Sequence, residues 1–138
     1  MKLLHILLLA SVCAFAPLAY AEKMSFDIEI AGSACQPNDG CIAEGRFEFT
    51  LDQAALDQVS PLVVVSTAED YIRQLATTIV KESLQAHTMK ELGAKNASAK
   101  LAAEIKNKYN EALQNEGGVQ GKPILAVRVV RLTAQPHP

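Results

Sequence analysis

Met24-Ser25-Phe26-Asp27-Ile28-Glu29-Ile30 and Arg46-Phe47-Glu48-Phe49-Thr50-Leu51 are the two stretches that decide the fold. In the first, Met24, Phe26, Ile28 and Ile30 fall on one side, and Ser25, Asp27 and Glu29 on the other. In the second, Phe47, Phe49 and Leu51 oppose Arg46, Glu48 and Thr50. A period of two with apolar residues on one side marks a half-buried strand. Between the two runs stand Cys35 and Cys41, enclosing Gln36, Pro37, Asn38, Asp39 and Gly40. Proline presets one dihedral and Asn-Asp-Gly tolerates a tight bend. The pair is therefore predicted to form an antiparallel hairpin whose tip is stapled by a Cys35–Cys41 disulfide. Closing so short a loop stabilises the chain by about 2.4 kcal/mol in the loop-entropy model. A redox or metal role fits the two cysteines less well. Their spacing is not C-x-x-C, and no second Cys or His pair completes a zinc site.

Downstream, Asp52 to Gln58 reads as a short helical turn, and Pro61 interrupts the chain. Leu62 to Val65 is a β-branched run, either a buried strand or the approach to the next helix. Ser66 followed by Glu69 reads as a capping box that opens a long helix. Ile72, Leu75, Ala76, Ile79, Val80 and Leu84 form its apolar stripe. Thr88 and Glu91 make a second capping box, on a short turn that ends near Gly93. Another helix starts around Asn96 or Ser98, with Leu101, Ile105, Tyr109 and Leu113 at helical spacing. Glu104 and Lys108 add a favourable pair four residues apart, and Gly117-Gly118 ends the helix. Pro123 to Leu132 is strongly β-forming, with Val127, Val129 and Val130. The fold expected is α+β in the order β-β-α-α-β: a small, mainly antiparallel sheet with helices on one face.

The first 21 residues carry a different signal. Lys2 is followed by an apolar run from Leu3 to Ala16, then Pro17, then Ala19-Tyr20-Ala21. These are the three regions of a secretory signal. The run is shorter than the roughly 20 residues of a spanning helix. Cleavage after Ala21 is expected, and retention as a membrane anchor is the alternative. Cys13 follows Val12, where a lipoprotein acceptor needs a small residue, so it reads as part of the signal. The organisation is thus a signal at 1–21, one domain at 22–134 and a tail at 135–138. An exported chain with two cysteines after cleavage suits a disulfide, and its compartment is periplasmic or secreted.

Composition narrows the function classes. The full sequence carries a net charge of −2, has no Trp and is 5% aromatic. There is no basic excess for nucleic acid, and no aromatic platform for sugars or bases. No G-x-S-x-G serine, phosphate loop or metalloprotease motif occurs. His87 lies near a helix end, where the helix dipole accounts for it, and His137 falls in the tail. Asp27 with Glu29 reads as a solvated strand face. Asn96-Ala97-Ser98 matches a glycosylation sequon, which matters only in a eukaryotic secretory pathway. Catalytic, cofactor-binding and metal-binding residues are therefore assigned nowhere. Two binding features stand out: the Met24–Ile30 strand as an edge where another chain adds, and the stapled loop Gln36, Pro37, Asn38, Asp39 and Gly40. The stretch from Thr88 to Lys100, of small-residue composition, reads as a solvated turn between helices, with an interaction surface as the alternative.

Taken in order, these elements resemble the stomatin/prohibitin/flotillin-type (SPFH, Band 7) domain. The matching features are Asn38-Asp39-Gly40 before the strand Cys41 to Leu51, and a helix over Glu69 to Ala86 leading into Thr88-Met89-Lys90-Glu91-Leu92. They continue with a helix over Ala99 to Gly118 and a closing strand, Ile124 to Leu132. The ending, with Asn110-Glu111-Ala112-Leu113 and Gly121-Lys122-Pro123, is similar to that of the flagellar basal-body-associated family that sits beside stator complexes. The resemblance spans roughly Phe26 to Leu132. It implies a non-enzymatic domain that self-associates or scaffolds a membrane-protein complex from the periplasmic side, with a protein or a second copy as partner. It implies no cofactor and no small-molecule substrate. The chain departs from the family in its cleavable N-terminal segment and in lacking the family's long coiled-coil tail. The reading from another class is a small secreted binding or inhibitor protein that inserts the Cys35–Cys41 loop into a target.

Overall fold

A computed structural model describes residues 22–36 and 40–137. The signal segment and the loop tip Pro37, Asn38 and Asp39 lie outside the described residues. The alternating runs form β1 (Lys23–Ala34) and β2 (Cys41–Asp52), paired antiparallel with Phe26 opposite Phe49 and Ile28 opposite Phe47. β3 (Ile124–Pro136) pairs antiparallel with the other side of β2, giving the sheet order β1-β2-β3. Between them lie α1 (Ala55–Gln58), α2 (Ala68–Gln85), α3 (Met89–Leu92) and α4 (Ala97–Asn115). The fold is α+β. α2 packs chiefly on β1 and α4 on β3.

The inward row of β2 is the centre of the core. Cys41, Ala43, Phe47, Phe49 and Leu51 are all buried. Gly45 continues the row because nothing larger fits: a Cβ there would meet the Arg131 carbonyl and the Phe47 ring, both at 2.8 Å. Phe26 stacks on Phe49 at 5.2 Å, and Tyr109 meets Phe49 edge-on at 5.5 Å. The helix stripes read from the sequence supply the opposing layer, with Ile72, Ala76, Val80, Leu84, Leu101, Ile105 and Leu113 buried.

Two buried polar residues on α4 tie the layers together. The Tyr109 hydroxyl donates to the Ile72 carbonyl of α2 at 2.5 Å. The Asn110 amide behaves like a strand partner for the first residue of β3. Its Oδ1 accepts from Ile124 N at 2.8 Å, and its Nδ2 donates to Ile124 O at 3.2 Å.

The structure bears on four sequence expectations. First, the cap of α2 is Thr67, not Ser66. Thr67 is extended, and its Oγ1 accepts from Asp70 N at 3.0 Å. Glu69 instead accepts from Arg73 at 3.0 Å. Second, of the two readings of Leu62 to Val65 the structure has the approach to α2 and not the strand, because Ser60 turns the chain. Val63 N donates to Ser60 O and Leu62 N to Ser60 Oγ.

Third, β3 runs past Leu132 to Pro136, because β2 is itself longer than its alternating run and offers Ile42 and Cys41 as partners for Gln135 and Pro136. The segment 135–138 is therefore not a loose tail over its first two residues, and His137 N donates to Gly40 O at 3.2 Å. Fourth, β3 is covered on one face, as expected of a sheet with helices on one side, and its near-continuous apolar character has a local cause. The register slips where Leu125 and Val130 lack partners, so each is the extra residue of a bulge. They are the two exposed large apolar residues of the strand, at 40% and 43%. Around them the alternation is regular, with Ile124, Val127, Val129, Leu132 and Ala134 turned inward. Helix α4 ends as read: Gly118, at φ 70°, turns the chain so that Val119 N reaches Leu113 O at 3.0 Å.

Asn110→Ala leaves the N–H and C=O of Ile124 buried without these partners. The expected loss is about 1–3 kcal/mol, read as a lowered urea midpoint at unchanged slope. An unchanged midpoint contradicts the clamp.

Candidate functional site

The two ends of the molecule differ in chemistry, and the stapled loop defines one of them. The Cys35 and Cys41 sulfurs lie at disulfide distance, with Cα atoms 5.0 Å apart, and both residues are buried. Cys35 N also donates to Cys41 O at 3.1 Å. Gln36 fastens this loop to the end of α2: its N–H donates to His87 O at 2.7 Å and its Nε2 to Gln85 O at 2.8 Å. Gln36 is thereby bridged to Thr88. Gly40 holds the other side through its carbonyl and His137. The structure thus brings together Cys35, Cys41, Gln36 and Gly40 of the expected interaction loop.

His87 stands where this loop meets the helices. It follows the end of α2, and its ring points to two carboxylates rather than along the helix dipole. Nδ1 lies 3.2 Å from Glu91 Oε2 and Nε2 lies 2.6 Å from Glu104 Oε2. Glu104 also holds Lys108 at 3.0 Å. The other oxygen of Glu91 accepts from Thr88 N, and Thr88 Oγ1 accepts from Glu91 N, which is the capping box read from the sequence. The turn between the long helices is therefore a capped helical turn bound to His87.

With a carboxylate at each nitrogen, only the imidazolium donates both hydrogen bonds. The bond to Glu104 raises the His87 pKa above its ordinary 6.5, helped by Glu91 and opposed by partial burial. Glu91 is lowered, first by the backbone N–H of Thr88 and then by His87. Burial pushes Glu104 up, but His87 and Lys108 outweigh it and the net shift is down. Both ring nitrogens are engaged, and the cluster fastens the turn at Glu91 to α4 at Glu104. Sequence reading missed it because Glu104 is 17 residues away.

Beside the cluster is a cavity of about 170 Å³. Leu92, Ala94, Ala97 and Leu101 give it apolar walls, and Lys100 and Asn96 stand at its border with His87, Glu91 and Glu104. Asn96 is the N-cap residue of α4, but its side chain caps nothing. Among the described residues, no group of three His, Cys, Asp or Glu is placed to hold a metal ion. No helix among them is long and apolar enough to cross a membrane.

The solvent face of the sheet is a charged lattice. Asp27 pairs with Arg46, Glu48 with Arg128 at 3.1 Å, and Glu29 with Arg131 at 2.8 Å. Exposed pairs of this kind are worth about 0.2–1 kcal/mol each, which agrees with Asp27 and Glu29 belonging to a solvated face. The chain matches no protein-family model and no curated protein sequence.

The shifts give a pH window. His87, raised on folding, adds stability that is fully present below 6.5 and is lost as pH climbs through its raised value. Glu91 and Glu104, lowered on folding, add stability present above 4.5 and lost as pH falls through their lowered values. The cluster is at full strength between these limits. An NMR titration should place the His87 midpoint above 6.5 and move it back toward 6.5 in Glu104→Gln. A wild-type midpoint at or below 6.5 contradicts the arrangement. Replacing both Cys35 and Cys41 with Ala should cost about 2.4 kcal/mol, measured by urea unfolding.

Proposed function

We propose that this is a non-enzymatic exported domain that self-associates or scaffolds a membrane-protein complex from the periplasmic side. The observation that carries the reading is the outer edge of β1. Lys23 to Ile30 is in unbroken register with β2, and no strand lies on its other side among the described residues. An open, regular edge is a template for a strand from another chain. The opposite edge is unlike it, because the bulges at Leu125 and Val130 interrupt β3, and bulges discourage strand addition. The resemblance to the SPFH domain supports the same reading. In this proposal the signal is cleaved after Ala21 and the mature domain works in the periplasm or beyond.

The anchoring of Gln36 to α2 favours one alternative, a secreted binding or inhibitor protein that presents the stapled loop to a target. A loop fixed at its base loses less freedom on binding.

Amide exchange tests the edge. In an assembled sample, the outward amides of Lys23 to Ile30 should slow relative to a dilute one, while those of β3 stay unchanged. A protein recovered from the exporting cell as a disulfide-bonded monomer, without partner at high concentration, overturns the scaffold reading and leaves the loop-presenting one.

A further inference from the structure

The end opposite the stapled loop carries an unusual display. Leu62 is 94% exposed and Val65 is 96% exposed, yet they sit on a fixed turn. Ser60 N donates to Gly117 O at 2.8 Å, and Val63 N returns to Ser60 O. Val63 and Val64 turn inward and pack on the core. The turn therefore holds its two apolar side chains out into solvent as a knob. Asp57 and Asp70, both exposed, flank it in sequence on either side, and Glu69 beside them is paired with Arg73.

The cavity beside His87 is the counterpart. Its floor is apolar, from Leu92, Ala97 and Leu101. At about 170 Å³ it is smaller than the roughly 300–1,000 Å³ of small-molecule sites, and an apolar cavity of roughly 150 Å³ admits one benzene-sized group. It suits an inserted side chain. The exposed Lys100 lines it and carries no ion pair among the described residues, while Glu91 and Glu104, also in its wall, are engaged by His87 and Lys108. An acidic-flanked apolar knob and an apolar socket whose unpaired charge is Lys100 are complementary in size and charge.

Knob and socket lie at opposite ends of one helix. The socket is at the Ala97 end of α4, and the knob is tied to Gly117, just beyond its Asn115 end. A helix of 19 residues spans about 28 Å, so one copy cannot fill its own socket. We propose that the Leu62–Val65 knob of one copy seats in the His87-side socket of the next, joining copies head to tail. The contact rests on the self-association reading but not on the β1 edge. It is heterologous, so copies build a chain, or a ring if the rotation closes. The contact is small, so assembly grows with concentration.

Sedimentation of the oxidised protein recovered from the exporting cell tests this. Wild type should form dimers and then larger species as concentration rises, and salt should weaken them. Leu62→Ser with Val65→Ser should weaken association by at least about tenfold, and so should Ala94→Trp, which fills the socket mouth. Lys100→Glu serves in its place if the tryptophan disturbs folding. The decisive sample is an equal mixture of the knob and socket variants. Each copy retains one half of the contact, so the mixture should stop at dimers. Oligomers unchanged in both variants leave self-association to another surface and overturn the head-to-tail contact. A mixture that stays monomeric overturns it too. A wild type that is monomeric throughout overturns both it and the self-association reading.

Discussion

A three-stranded sheet covered on one face has a single layer in which to bury its apolar side chains, and every other feature answers to that constraint. β2 lies in the middle, so its inward row is the only part of the sheet flanked on both sides as well as covered from above. Phe47, Phe49 and Leu51 are fully enclosed there, whereas Met24 and Ile28 of β1 and Val127, Val129 and Leu132 of β3 are only partly buried. The helices must therefore close tightly on β2 without a second sheet behind it. Tyr109 and Asn110 meet that need by joining α4 to α2 and to β3 through side-chain hydrogen bonds in the dry layer. Buried polar groups that are fully satisfied fix one arrangement of the layers more sharply than apolar contacts alone.

The same constraint leaves much of the sheet in contact with water. Among the described residues, its far face carries exposed ion pairs and the Ser25–Thr50 hydroxyl contact. Such groups keep the face soluble more than they hold it together. The molecule is consequently firm in its helical layer and open on its strand edges and at its two ends. The stapled loop, His87 and the socket gather at one end, and the knob stands at the other.

The hairpin and both helix stripes were legible in the sequence because each is a local pattern with a fixed period. The Thr88–Glu91 capping box was legible for the same reason. The cap of α2 was off by one residue because Ser66 and Thr67 both carry a hydroxyl and both have an acidic residue three positions on. Only the backbone decides between them. The bulges left a trace that periodicity alone does not interpret: Ile124-Leu125 and Val129-Val130 are apolar doublets, each at a point where the register gains a residue. His87 with Glu104, and Asn110 with Ile124, were not legible, since nothing local links residues on separate elements. The knob was hidden for the opposite reason. Leu62 to Val65 reads as core in composition, and only the turn at Ser60 shows that two of the four face outward.

β3 is the last element of the chain and pairs with a strand that was complete at Asp52. Nearly all of the sequence between them must be in place before the sheet can close. Non-local pairing of this kind slows folding, because loop-closure entropy is lost before the contacts form. Until β3 docks, the inner row of β2 has one exposed flank and the Asn110 amide has no partner. The order of the elements along the chain therefore makes the docking of β3 the step on which closure of the whole layer waits.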